Sequence, residues 1–230
     1  TKIVYMGGED FWSNGIHLNC IEASDDPALE SWKNINAIDD VVYEIINSPN
    51  QVTIAALRNN AGAGGAIMAL ACDEVIIREG VVLNPHYKSM GLYGSEYWTY
   101  LLPKRVGKEM SIQITDECKP MLAHEAVQLG VADLIFDEDW TAFHERLYEY
   151  CDRLDQVLEV KEFLSVKVAQ LAEDNREKSL EQYRSEELAI MRQSFYDPSS
   201  RYHEERRIFV YKEKTPAPQV LAPHQNVLNS

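Results

Sequence analysis

The spacing of apolar residues changes period several times along the chain, and each change marks an element. "KIVYM" (2–6) alternates weakly and predicts a strand that ends at Gly7-Gly8. Asp26 followed by Pro27 is a helix start, a side-chain acceptor and then the residue that suits the first helical position. Leu29, Trp32, Ile35, Ile38, Val42 and Ile45 then recur every three or four residues, which predicts one long amphipathic helix stopped by Ser48-Pro49. "QVTIAAL" (51–57) predicts a short buried strand. A glycine turn follows, then a helix over 64–72, and "EVIIREGVVLN" (74–84) predicts two short strands about Gly80. After residue 98 the pattern turns mainly helical. "AHEAVQLGVADLIF" predicts a helix, a stop at Gly130 and a short strand. Trp140, Phe143, Leu147, Cys151, Leu154 and Leu158 mark a long amphipathic helix, and two more are expected near 160–172 and 178–196. Strands alternating with helices predict an α/β fold with parallel neighbours.

Composition narrows the function classes. The 230 residues, 45% of them hydrophobic, suffice for one sizeable core. A formal net charge of -15 argues against nucleic-acid binding, and the densest basic run, Arg201 to Lys214, is broken by Glu204, Glu205 and Glu213. The four cysteines, Cys20, Cys72, Cys118 and Cys151, lie far apart without a C-x-x-C pair. That disfavours zinc and predicts reduced thiols and a cytoplasmic protein. No apolar run approaches the ~18 residues of a membrane span. The chain opens at Thr1 directly into a strand, with neither leader nor initiating Met, and so reads as a piece of something longer. The tail from Thr215 carries three prolines and is expected to be loose.

The glycine turn Gly62-Ala63-Gly64-Gly65 is the first candidate for chemistry. A dinucleotide fingerprint needs a further small residue where Ile67 stands and an acid about twenty positions on, where Tyr87 stands. The Lys-Ser/Thr of a phosphate-binding P-loop is absent. Two readings stay open. The glycines could simply allow tight helix–strand packing. Alternatively, Gly64 could let a carbonyl oxygen reach a bare backbone N–H, half of an oxyanion hole worth roughly 3 kcal/mol in comparable sites.

Four stretches resemble the crotonase (enoyl-CoA hydratase/isomerase) superfamily, in order and at the right spacing. "FWSNGIHLN" is similar to the family's F-S-A-G-A-D-L loop, and "AGAGGAIMALACDEVI" to its G-x-x-x-G-G-G-x-E-L-x-x-x-C-D segment. "NPHYKSMGLYGSEYWTYLLPKRVG" resembles P-E-x-x-x-G-x-x-P-G-x-G-G-T-x-x-L-x-x-x-x-G, and "AHEAVQLGVADLIF" resembles A-x-E-A-x-x-x-G-L-V-x-x-V. The resemblance implies a spiral of strand–strand–helix units over residues 1–140, with the family's first strands and helix missing upstream. A C-terminal helical region over 141–214 and a loose tail over 215–230 complete the expected organisation. It implies a CoA thioester as ligand, held by Gly15, Ile16, His17, Leu18, Gly62, Gly64 and Gly65, with the Ile16 and Gly64 N–H groups as the oxyanion hole. The adenine is expected near His17 to Cys20. Lys33, Lys88, Lys104 and Arg105 are the candidate phosphate cations, each more readily read as solvated surface.

The departures carry as much information. The two catalytic glutamates of the hydratases fall at Ile67 and His86, which makes simple hydration doubtful, since it needs an acid and a base. Where the family shows P-G-x-G-G-T, this chain reads Gly94-Ser95-Glu96-Tyr97-Trp98-Thr99. Large aromatics there would wall the acyl cavity and predict a tiny acyl group. Glu96, expected among Tyr93, Tyr97 and Trp98, becomes the candidate proton-transfer group with a raised pKa. A solvated carboxylate at a helix start is the alternative. Tyr97, Tyr87 and His86 are the other catalytic candidates, His86 being as readable as structural.

This variant, together with "DPSSRYHEERRIFVYK", is similar to the crotonase-like half of the two-module [NiFe]-hydrogenase maturation factors. That resemblance implies an N-terminal formyl-tetrahydrofolate-binding module in the same protein, which passes a formyl group to CoA. It also implies conversion of formyl-CoA to carbon monoxide and CoA for the hydrogenase iron, and contacts with hydrogenase maturation proteins. Alternatives are a conventional short acyl-CoA hydratase, isomerase or hydrolase, or a CoA-binding docking module without catalysis.

Overall fold

A computed structural model describes residues 2–136, 139–157 and 159–213. The order is β1 (Lys2–Tyr5), α1 (Leu18–Glu22), α2 (Pro27–Ile46), β2 (Val52–Leu57), β3 (Ala61–Gly62), α3 (Ala63–Ala69), β4 (Glu74–Arg78), β5 (Val82–Asn84), α4 (Trp98–Val106) and α5 (Lys108–Glu117). Then come β6 (Met121–Leu122), α6 (Ala123–Leu129), β7 (Leu134–Phe136), α7 (Trp140–Val157), α8 (Val160–Glu177), α9 (Leu180–Tyr196) and α10 (Arg201–Tyr211). The strands form two sheets, an all-parallel one ordered β1-β2-β4-β7 and a small one ordered β3-β5-β6. The chain visits both in turn, β2 then β3 then α3, and β4 then β5 then α4. This is the expected α/β spiral of strand–strand–helix units, followed by C-terminal helices.

The larger sheet is covered on both faces, so every residue of β2 is buried. Ala55, Leu57, Val75 and Ile77 face the core under α2 and α3. Val52, Ile54, Ala56 and Ile76 face a second cluster built with Phe143, Leu147 and Leu154 of α7. Thr53 breaks the alternation because its amide and hydroxyl both donate to Asp73, at 2.8 and 3.0 Å, and Lys167 of α8 closes that buried group at 2.7 Å.

Helix α2 starts as its sequence dictates, with the Asp26 carboxylate accepting from the Leu29 amide at 3.0 Å and Pro27 in the first turn. Ile35, Val42 and Ile45 are buried, while Leu29 is 40% exposed at the first turn. The predicted helix over 64–72 ends at Ala69, because residues 70–72 close with i→i+3 bonds before β4 begins. The helices expected near 160–172 and 178–196 are α8 and α9, the second capped by Ser179. The basic run from Arg201 folds as α10 and packs on α1, where Arg206 pairs with Glu22 at 2.6 Å, and the Tyr202 hydroxyl meets Ser31 Oγ of α2 at 2.7 Å. Leu158 and the tail read as loose lie outside the described residues. No helix among the described residues is long and apolar enough to cross a membrane.

Phe143, 0% exposed, ties α7 to the outer face of the larger sheet. Phe143→Ala is expected to cost about 3–5 kcal/mol of folding stability, measured as a fall in the urea midpoint.

Candidate active site

The loop after β1 is laced to the glycine turn by backbone bonds. Trp12 N donates to Asn60 O at 2.8 Å, Gly62 N donates to Ser13 O at 3.0 Å, and Ser13 and Ala61 form a parallel bridge. A side chain at residue 65 would collide with the Ser13 carbonyl, so Gly65 is what allows this close approach. Gly15, at φ +79°, lies so near the start of α3 that a methyl group on it would sit 3.2 Å from Gly64 N. The Ile16 amide follows Gly15 in this loop, and the Gly64 amide lies in the first turn of α3. Among the described residues neither amide donates to a backbone or side-chain acceptor.

Glu96 reaches the same place from the opposite side. A Cβ on Gly64 would collide with Glu96 Oε1 and Cδ, so the carboxylate lies directly on the bare Gly64 backbone. Glu96 is 1% exposed, which removes the reading of a solvated helix-start carboxylate. Its Oε2 accepts from the Tyr87 hydroxyl at 2.9 Å and from the Ser95 amide at 3.1 Å. The Tyr87 ring can take this position only because residue 94 is glycine, at φ +96°; a Cβ there would run into the ring. Glu96 and Tyr97 then adopt left-handed conformations, φ +58° and +60°, each costing about 1–2 kcal/mol for a residue with a side chain.

Two further carboxylates surround this turn. Asp39 of α2 accepts from the Ser95 hydroxyl at 3.0 and 2.8 Å and from the Glu96 amide at 2.9 Å, with Arg184 Nε 3.7 Å away. Glu187 of α9 accepts from the Tyr97 and Thr99 amides at 3.0 and 2.9 Å and from the Thr99 hydroxyl. The sequence analysis missed both. Their signal is a carboxylate on the buried stripe of a helix, Asp39 between Ile35 and Val42, and Glu187 between Leu180 and Met191.

Burial pushes the Glu96 carboxyl up to about 8, reinforced by the facing Asp39 charge and opposed by the Tyr87 hydrogen bond. Burial likewise carries Glu187 up to about 8 and Asp39 up to about 6. The Tyr87 hydroxyl is raised by burial and then by Glu96, so it stays a hydrogen-bond donor. Burial lowers His86, keeping it neutral, and its buried Nδ1 has no hydrogen-bond partner among the described residues.

The structure thus brings together Gly15, Ile16, Gly62, Gly64, Gly65, Tyr87 and Glu96. The expected surroundings of Glu96 differ in one respect, since the aromatic partner in contact is Tyr87. Tyr93 is 38% exposed and stacks edge-on with Trp98 at 5.3 Å. The Tyr97 ring is buried, and its hydroxyl lies beside Arg184 without a well-formed hydrogen bond. His17 caps α1, its Nδ1 accepting from Cys20 N at 3.2 Å, and Leu18 opens that helix. The four candidate phosphate cations all have carboxylate partners: Lys33 with Glu30, Lys88 with Asp116, Lys104 with Asp174, and Arg105 with Asp133.

The strand–strand–helix spiral with C-terminal helices recurs in known proteins. A sequence model of the family described as enoyl-CoA hydratase/isomerase matches residues 1–219. The chain belongs to this family, the crotonases. The hydrogenase maturation factor HoxX of Bradyrhizobium diazoefficiens is 42% identical over 98% of this chain. The crystal structure of HypX from Aquifex aeolicus in complex with tetrahydrofolic acid superposes with a TM-score of 0.91 at 42% identity over 97% of this chain. In both cases the chain spans 40% of the relative's length. An enoyl-CoA hydratase from Bacillus halodurans shares the fold, with a TM-score of 0.75 at 22% identity over 90% of this chain and 80% of that one. In this crotonase Ile67 of α3 is 0% exposed and part of the core.

Two predictions follow from the buried acid. The native state holds the Glu96 proton up to about 8, while an unfolded chain releases it near 4.5. Native protein therefore binds more protons in that window, and stability falls as pH rises through it. The urea midpoint should drop between pH values near 5 and 8, and Glu96→Gln should flatten the drop. Gly64→Ala places a methyl group where the carboxylate lies, so the Glu96 titration should move down toward 4.5, read by carbon NMR of labelled glutamate.

Proposed function

We propose that this chain binds formyl-CoA and converts it to carbon monoxide and CoA, as the crotonase-like part of a hydrogenase maturation factor. The observation that carries the reading is the Glu96 carboxylate lying on Gly64, where the Gly15 loop comes closest to the start of α3 and the Gly64 and Ile16 amides have no backbone acceptor among the described residues. A thioester carbonyl accepting from those two amides would present its carbonyl carbon to Glu96. With formyl as the acyl group, that carbon carries a hydrogen. Ionised Glu96 takes it as a proton, the C–S bond breaks, and carbon monoxide leaves. The thiolate then recovers the proton from Glu96. The balance is one formyl-CoA to one CO and one CoA thiol, with no oxidant or reductant. Tyr87 holds the carboxylate throughout by its 2.9 Å hydrogen bond.

Three features support a small acyl group. The Tyr87 ring packs on Gly94, Tyr97 is buried in the same turn, and Ile67 stands where a hydratase places an acid. The setting in hydrogenase maturation rests on the 42% identity to HoxX and HypX. Tetrahydrofolic acid bound by the Aquifex HypX supports a one-carbon source in the same protein, here a formyl-tetrahydrofolate module that hands its formyl group to CoA.

Glu96→Gln should reduce CO release from formyl-CoA by at least about 100-fold while CoA still binds, measured by haemoglobin trapping of CO and by calorimetry. In the wild type kcat/KM should climb with pH to a plateau above about 8, since only the ionised carboxylate accepts the proton. Full activity in the Gln variant, or turnover of crotonyl-CoA in preference to formyl-CoA, would overturn the reading.

A further inference from the structure

Glu96 occupies its place only because an unusual turn is held open from outside. Residues 94, 96 and 97 all have positive φ, and two of them carry side chains. Helix α4 begins immediately afterwards, with Tyr97 as its cap residue and no capping side chain of its own. The amides of the turn therefore need acceptors from elsewhere. They find them on two helices distant in sequence. Asp39 of α2 takes the Glu96 amide and the Ser95 hydroxyl, and Glu187 of α9 takes the Tyr97 and Thr99 amides and the Thr99 hydroxyl. Both acids are at most 1% exposed. Arg184 is the cation beside Asp39, and the acceptors of Glu187 face backbone and hydroxyl donors. A buried acid in such a place is costly unless its oxygens are filled with donors, and here they are.

We propose that Asp39 and Glu187 are positioning residues, a two-sided clamp from α2 and α9 that holds the left-handed Glu96–Tyr97 pair and so keeps the Glu96 carboxylate on Gly64. Neither touches the thioester; each acts through the backbone that carries Glu96. The clamp rests on the proposed role of Glu96 in catalysis. It explains why the C-terminal helices matter to a site built from the first hundred residues, since α9 supplies half the grip.

The test uses the full chain and four variants. Asp39→Ala and Glu187→Ala should lower kcat for formyl-CoA by about 10- to 100-fold with KM changed less than about threefold. Glu187→Gln keeps an acceptor oxygen and should restore most of the rate. A second measurement needs no turnover: carbon NMR titration of labelled Glu96. The groups facing that carboxyl are Asp39 from α2, Tyr87 from the segment before the turn and Glu187 from α9, with Arg184 beside Asp39. Asp39→Asn removes the strongest facing charge and should lower the Glu96 inflection by about one pH unit. Unchanged kcat in folded alanine variants, equal loss in Glu187→Ala and Glu187→Gln, or an unmoved inflection in Asp39→Asn would overturn the clamp. If formyl-CoA is not the substrate, wild-type protein releases no CO while the titration shift remains, so the two failures are distinguishable.

Discussion

The contact on which the rest depends is a carboxylate lying on bare main chain, Glu96 against Gly64. A negative group with almost no exposure must be met by donors, or it gives up its charge. Both happen here. Tyr87 and the Ser95 amide meet it, and burial still lifts its pKa to about 8. Each accommodation makes a demand on the sequence. Gly94 yields room for the Tyr87 ring, Gly64 yields room for the carboxylate, and the left-handed pair at 96 and 97 turns the side chain inward. The site is a set of mutual exclusions, where one residue's missing side chain is another's seat.

Much of the scaffold was legible because hydrophobic period reports burial directly. The long helix α2 follows from a three- and four-residue repeat and one capping signal at Asp26, and β2 and the two strands about Gly80 follow from short apolar runs. What escaped was short or long-range. The two-residue strands β3 and β6 have no period to read, and their identity depends on partners across the fold. Helix α3 ends early because β4 must begin. In the site, the glycines and Glu96 could be picked from local pattern. Tyr87 is among the candidates, but its hydrogen bond to Glu96 depends on the turn at Gly94, and Asp39 and Glu187 could not be read from it, since they meet the turn from 57 and 90 residues away. Only the polar intrusions into the apolar stripes of α2 and α9 betray the last two.

Membership in the crotonases sets the scaffold, and this chain's own turn at 94–97 sets a buried carboxylate on it. On α3 itself, position 67 is a core isoleucine, 0% exposed. The buried carboxylate on Gly64 comes from the segment leading into α4.

The central strand β2 has a consequence of its own. Its odd and even positions feed two separate apolar clusters, one beneath the reactive cradle and one beneath α7. Inserting or deleting a single residue there would exchange the two sets wholesale, swapping small Ala55 and Ala56 between compartments of different shape. β2 is also the strand that delivers the chain into the glycine turn. An indel in this strand would thus corrupt both cores at once and also mis-aim the cradle, which makes β2 the stretch least able to tolerate a change in length.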